Sequence, residues 1–272
     1  MFLRRAVIAF GGSAFAVFAS VAVGKSGDDS GFLCPPIIPG RWDWNWDCRE
    51  PMSLINLKPL EGCTEKECKL QEWRGWGILG TRTAVVVMVL ASSFNKLHAV
   101  FLSTGREQAS LTGQHLALLA SEGNKFSCII YSSLTRSTET ADIISKNLPD
   151  IKMCSSSLLH EGPPIRPVPA ESKWIPDLSY FKDGPRIEAA FRKYILRADP
   201  EQTKDSYEII VCHDNVIRYF VCRALQLPPE AWLRLPLYHG SITKLVIKPD
   251  DDVSLKMLGD AGFMPPGKLT GA

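Results

Sequence analysis

Tyr207-Glu208-Ile209-Ile210-Val211-Cys212-His213-Asp214-Asn215-Val216-Ile217-Arg218-Tyr219 is the stretch from which the fold is read. Tyr207 to Cys212 is a short, mostly apolar run without helical period, which predicts a buried strand. That strand delivers His213 at its C-terminal end, and a helix is predicted over Asn215–Leu225 directly after it. A strand passing straight into a helix is the repeating unit of α/β folds.

Outward from that stretch the alternation continues. Ala99–Leu102 reads as a strand, and Thr104 with Glu107 as a capping box opening a helix that Gly123 stops. Ala109, Thr112, Leu116 and Leu119 fall on one face of that helix. Cys128–Tyr131 reads as the next strand, and Thr135–Asn147 as a helix ended before Pro149. Asp183 and Pro185 mark another helix start, followed by Ile187, Ala190, Phe191, Tyr194 and Ile195 at helical spacing. Ser241–Ile247 and Ser254–Leu258 close the series as strands. The expectation is an α/β domain over 98–272, with a mostly parallel sheet flanked by helices.

Composition fits such a domain: 45% hydrophobic and 22% charged residues can bury a core. A net charge of +2, with no basic stripe interleaved with aromatics, sets nucleic acid aside as a partner. The 8 cysteines include no C-x-x-C pair. Cys128, Cys212 and Cys222 lie in apolar runs where a reduced thiol packs as a small hydrophobe, which favours a reducing compartment.

Upstream, Arg4 and Arg5 precede an uncharged run over 6–23, long enough at 18 residues to cross a bilayer as a helix. A single-pass anchor is expected; the competing reading is a secretory signal peptide cut near Ala19–Ala22. A linker follows over 24–97. It contains Trp42-Asp43-Trp44-Asn45-Trp46-Asp47, whose indoles either assemble with a partner or pack back on the domain. It also contains the apolar stretch 83–95, bounded by Arg82 and Lys96 and too short at 13 residues to span a membrane. Val85 to Leu90 within it looks like a buried strand, with no function attached.

Ligands of open α/β sheets bind beyond the carboxyl ends of the strands. Three candidates fall there: Arg136, Glu161 after the segment Lys152–Ser156, and His213. An arginine clamps phosphate oxygens in a bidentate fork, a glutamate can protonate a leaving oxygen, and a histidine can hold or attack a phosphoryl group. Taken singly these are a solvated helix residue, a loop acid and a core imidazole. Their convergence on one edge favours a site.

Three blocks carry a family resemblance: Ser132-Ser133-Leu134-Thr135-Arg136-Ser137-Thr138-Glu139-Thr140-Ala141, Leu159-His160-Glu161-Gly162 and Cys212-His213-Asp214-Asn215-Val216-Ile217-Arg218-Tyr219. They resemble the histidine phosphatase superfamily, with its phosphoglycerate mutase-like fold, and in particular its mitochondrial protein serine/threonine phosphatases. The segments 42–47, 186–191 and 260–266 are similar to those proteins as well. The resemblance implies an anchor in a mitochondrial membrane and self-association through Trp42, Asp43, Asn45, Trp46 and Asp47. It also implies phosphoserine and phosphothreonine proteins as substrates, with no metal or other cofactor. Arg136 and His213 would hold the phosphate, and His213 and Glu161 would serve catalysis.

The same resemblance exposes a departure. The family reaction begins with a histidine in an Arg-His-Gly type motif after the first strand, and no segment here matches it. The expected strand end Phe101-Leu102 runs at once into Gly105-Arg106-Glu107, as if the intervening segment were skipped. His98 precedes that strand, His115 lies within a helix, and His239 is expected on a distant loop, so none is a ready replacement. Asp214, where a small residue is usual, adds a carboxylate beside the phosphate seat. The chain is expected to be an inactive phosphatase or, alternatively, a non-catalytic oligomeric scaffold.

Overall fold

Seven consecutive residues, Ala84–Leu90, form strand β1, and all seven are buried. The computed structural model describes residues 42, 43, 46, 83–92, 99–170, 175–197, 202, 204–248 and 252–271. Within them β1 is followed by α1 (Ala99–Ser121), β2 (Phe126–Ser132), α2 (Thr135–Ser145) and β3 (Lys152–Ser156). Then come α3 (Asp177–Tyr194), β4 (Ser206–Cys212), α4 (Asp214–Ala224), β5 (Ile242–Ile247) and β6 (Val253–Asp260). The six strands lie in the order β3-β2-β4-β1-β5-β6. Pairings β3–β2, β2–β4 and β4–β1 are parallel, while β5 and β6 add antiparallel at one side. A mostly parallel α/β sheet with flanking helices is what the alternation predicts.

Alternate residues of the central strands face two apolar layers, as the period of two requires. Val86, Met88, Leu90, Ile210 and Cys212 pack with Ile187 and Phe191 of α3 and Ile217 and Phe220 of α4. Val85, Val87, Val89, Ile209 and Val211 pack with Leu116 of α1 and Ala141 and Ile144 of α2. Each such large side chain fully removed from water contributes about 1.5–3 kcal/mol before conformational entropy is counted. Strands covered on both faces read as continuous apolar runs, which is the character of Val85–Leu90.

Two expectations are corrected. Ala99–Leu102 is the opening of α1, not a strand. The slot between β4 and β5 is already filled by Ala84–Leu90, so no place remains for a second strand there. The sheet therefore begins inside the stretch expected as linker rather than at 98. Helix α3 also begins at Asp177, eight residues upstream of Pro185, which sits inside it. Gly184 permits this course: a Cβ there would stand 2.5 Å from the Pro164 carbonyl oxygen against which the helix runs.

The upstream tryptophans reach the domain. Trp46 is buried in the core, its ring 5.9 Å from that of Phe191, and Trp42 packs partly buried on the same cluster. The backbone N–H of Asp43 donates to Gln226 Oε1 at 2.6 Å, and Gln226 Nε2 donates back to the Asp43 carbonyl at 2.8 Å. Asn45 and Asp47 lie outside the described residues, as does the expected anchor at 6–23. Among the described residues no helix is long and apolar enough to cross a membrane. Cys128, Cys154, Cys212 and Cys222 are free thiols.

Candidate active site

Because β2, β3 and β4 are parallel, their carboxyl ends share one edge of the sheet. From that edge β2 presents Ser132, β4 is followed by His213, and β3 leads through a short 3-10 turn (Ser157–Leu159) to His160 and Glu161. Arg136 stands on the first turn of α2. The structure brings Arg136, Glu161 and His213 together as the sequence predicts.

His213 is almost wholly buried, with its side chain 1% exposed. Arg136 Nε donates to His213 Nδ1 at 3.1 Å, and His213 Nε2 lies 2.8 Å from Ser132 Oγ. A guanidinium can only donate, so Nδ1 accepts and the ring proton resides on Nε2, which donates to Ser132. Burial, reinforced by the Arg136 charge, pushes the imidazole down to about 3. His213 is therefore neutral at ordinary pH, with both ring nitrogens engaged by protein groups.

Glu161 Oε2 lies 3.6 Å from Arg136 and 3.8 Å from His213 Nδ1, and the Gly162 N–H donates to Glu161 Oε1 at 3.0 Å. Burial, then the charge and hydrogen bond of Asp214, push the Glu161 carboxyl up to about 8. A carboxyl still protonated at neutral pH is a competent general acid. Asp214 reaches this point from the first turn of α4 while accepting from Arg218 Nη1 at 2.8 Å. It faces the site rather than away from it.

The loop that carries Glu161 is held from beneath. Arg186 donates to the carbonyls of Leu158, His160 and Glu161 and to Asp183 Oδ1, at 2.7 to 3.2 Å. Gly162 has no side chain because Asp183 occupies the space; a Cβ would come within 2.5 Å of its Cγ.

Several of these groups escape sequence reasoning. Ser132, Ser133, His160, Asp183 and Arg218 carry no spacing signal of their own, although most fall beside or within the blocks that name the site. Ser133 Oγ lies 2.6 Å from His160 Nε2. His239, expected on a distant loop, is instead within electrostatic reach of Asp214 and Arg136, with Nδ1 3.0 Å from Thr270 Oγ1. Tertiary folding returns the C-terminal tail to that loop, with Gln108 Nε2 donating to the Lys268 carbonyl and to Thr270 Oγ1. His98 lies outside the described residues, and His115 stacks on Phe263 at 4.5 Å. Among the described residues no group of three His, Cys, Asp or Glu side chains is arranged to hold a metal ion.

Comparison with known proteins identifies the family. The model of the histidine phosphatase superfamily, branch 1, matches residues 184–260. The mitochondrial serine/threonine-protein phosphatase PGAM5 of Xenopus laevis is 52% identical, covering 99% of this chain and 99% of that protein. Its Homo sapiens counterpart is 48% identical over 96% of this chain and 94% of its own. Among solved structures, phosphoglycerate mutase from Plasmodium falciparum is 32% identical over 65% of this chain and 91% of that one, with a TM-score of 0.46. The chain belongs to the histidine phosphatase superfamily.

Proposed function

We propose that this chain seats the phosphate of phosphoserine and phosphothreonine proteins between Arg136 and His213, and that it does not turn them over through a phosphohistidine. Glu161 stands ready as the acid for the leaving oxygen, but the group that should attack phosphorus is missing. The observation that carries this reading is the register of β1 on β4. Leu90 pairs with Cys212, and the Ala91 N–H donates to the Cys212 carbonyl at 2.8 Å. One residue beyond the pair, Ala91 stands level with His213, followed by Ser92. In a family whose reaction starts on a histidine after the first strand, that position holds a methyl group here. The relatives' names place them in mitochondria, which supports a mitochondrial setting, with 6–23 as the expected single-pass membrane anchor.

A scaffold built through Trp42, Asp43, Asn45, Trp46 and Asp47 is the second reading. It is favoured by relatives that match over nearly the full chain, a match that reaches the upstream segment. Against a free assembly motif stands the seat of Trp46 in this chain's own core.

The test is phosphate release from a phosphothreonine peptide by the full chain, purified in mild detergent, beside Ala91→His and His213→Ala. Multiple turnover is expected only from Ala91→His, provided its melting curve shows it folded. Multiple turnover by the unaltered chain that vanishes in His213→Ala would overturn the reading.

A further inference from the structure

The adjacent residues Ser132 and Ser133 each meet an imidazole, and only one of these pairs belongs to the phosphate seat. Ser132 Oγ is buried against His213. Ser133, the first residue past the end of β2, is exposed, and its Oγ lies 2.6 Å from His160 Nε2. His160 in turn precedes Glu161, whose carboxyl lies on Arg136. Ser133 and His160 each lie one residue along the chain from a site residue, Ser132 and Glu161, and His160 is within electrostatic reach of His213.

We propose that Ser133 and His160 form a nucleophile and base that take a phosphoryl group from a monoester held on Arg136 and His213. A hydroxyl within hydrogen-bond reach of an imidazole is the arrangement by which serine is activated. The imidazole must be neutral to accept the proton, and its surroundings favour that form. Burial and then the Arg186 charge push it below its ordinary value, with Asp183 acting weakly the other way. Its backbone is fixed, because Arg186 Nη1 holds the His160 carbonyl at 2.7 Å.

In the step, Ser133 Oγ forms a bond to phosphorus as its proton passes to His160 Nε2. The ester P–O bond breaks, and the departing oxygen takes the proton from the Glu161 carboxyl. The products are a free alcohol and phosphoserine at 133. A serine phosphate is a stable alkyl ester, so the event is a single capture rather than a cycle. The proposal rests on the phosphate seat described above and adds to it a second acceptor, with phosphate monoesters as the ligand class.

The experiment treats the full chain with p-nitrophenyl phosphate, follows p-nitrophenolate release, and maps the adduct by tandem mass spectrometry. Binding of inorganic phosphate is measured in parallel by calorimetry, with Arg136→Ala as control. The expected result is one equivalent of release and a phosphoryl group on Ser133, absent in Ser133→Ala. His160→Gln should slow the burst about 100-fold, the lower range for loss of a general base. The burst rate should rise with pH and reach its plateau below the ordinary histidine range, a profile that the glutamine variant loses. Phosphate binding without an adduct, or an adduct on His160, would overturn this inference alone. Absence of both binding and adduct would overturn the phosphate seat with it.

Discussion

Glu161→Gln should stabilise the protein at alkaline pH and leave it nearly unchanged in acid. The folded carboxyl titrates at about 8 against an ordinary 4.5, chiefly through burial and then Asp214. Between those values the folded state keeps a proton that the unfolded state has released, so stability falls as pH rises and is lowest above about 8. One proton gives a slope of at most about 1.4 kcal/mol per pH unit, and the whole window a ceiling of about 5 kcal/mol. The side chain keeps 26% of its surface in water and Arg136 lies 3.6 Å away. Solvent screening cuts the ceiling to about 2 kcal/mol in practice. Glutamine keeps the shape and cannot ionise, so the variant's stability should be flat across the window. Urea unfolding at pH 5, 6, 7 and 8 reads this directly. With a slope of about 2 kcal/mol per molar urea, the two midpoints should agree at pH 5 and differ by about 1 M at pH 8, the variant higher. Parallel pH profiles for the two proteins would refute the account of the Glu161–Asp214 contact.

Glu188→Ala should be among the most damaging single changes. That carboxylate accepts from Tyr219 Oη at 2.8 Å, from Arg223 Nε and Nη2 at 3.0 and 3.1 Å and from Arg192 Nε at 2.9 Å. Removing it takes these bonds from the buried Arg223, a loss of about 3–5 kcal/mol by chemical denaturation; a loss under about 1 kcal/mol would show the network to be idle. Burial raises the Glu188 pKa, but Arg223 and Arg192 more than offset this and leave it below the ordinary carboxylate range. Its stabilisation is therefore complete above that range and lost as pH falls through the folded value, so the gap between wild type and variant should close in acid. Gly162→Ala should push a methyl into Asp183, 2.5 Å from its Cγ, and lower stability by about 1–3 kcal/mol. Calorimetry should show weaker phosphate binding as the Glu161 loop shifts; unchanged affinity would mean that the loop's position does not matter.

The body of the fold is legible because its strands and helices differ in period, and β4 into α4 announces itself by an apolar run ending on a histidine. The first strand is misplaced for a physical reason. Val85–Leu90 has the continuous apolarity of a strand covered on both faces, whereas Ala99–Leu102 is a four-residue apolar run whose period does not separate strand from helix. Helical residues from Ser103 to Ser121 extend backward through Ala99 once the central slot of the sheet is taken. At the site, Arg136, Glu161 and His213 are legible from their places at strand ends. Asp214 is marked by its departure from the family pattern, whereas Ser133 and His160 acquire meaning only from distances, since neither carries a spacing signal. His239 depends on a contact with Thr270, at the far end of the domain's sequence.

The seat of Trp46 gives the position of any proteolytic cut an unusual weight. A fragment released by cleavage before residue 42 would carry the indole with it and keep the Trp46–Phe191 contact. A fragment released between 47 and 83 would have the same sheet and the same phosphate seat, yet an open notch where the ring had been. Two processed forms with identical active-site residues would then differ in lifetime, and the choice of protease would set how long the domain persists after release.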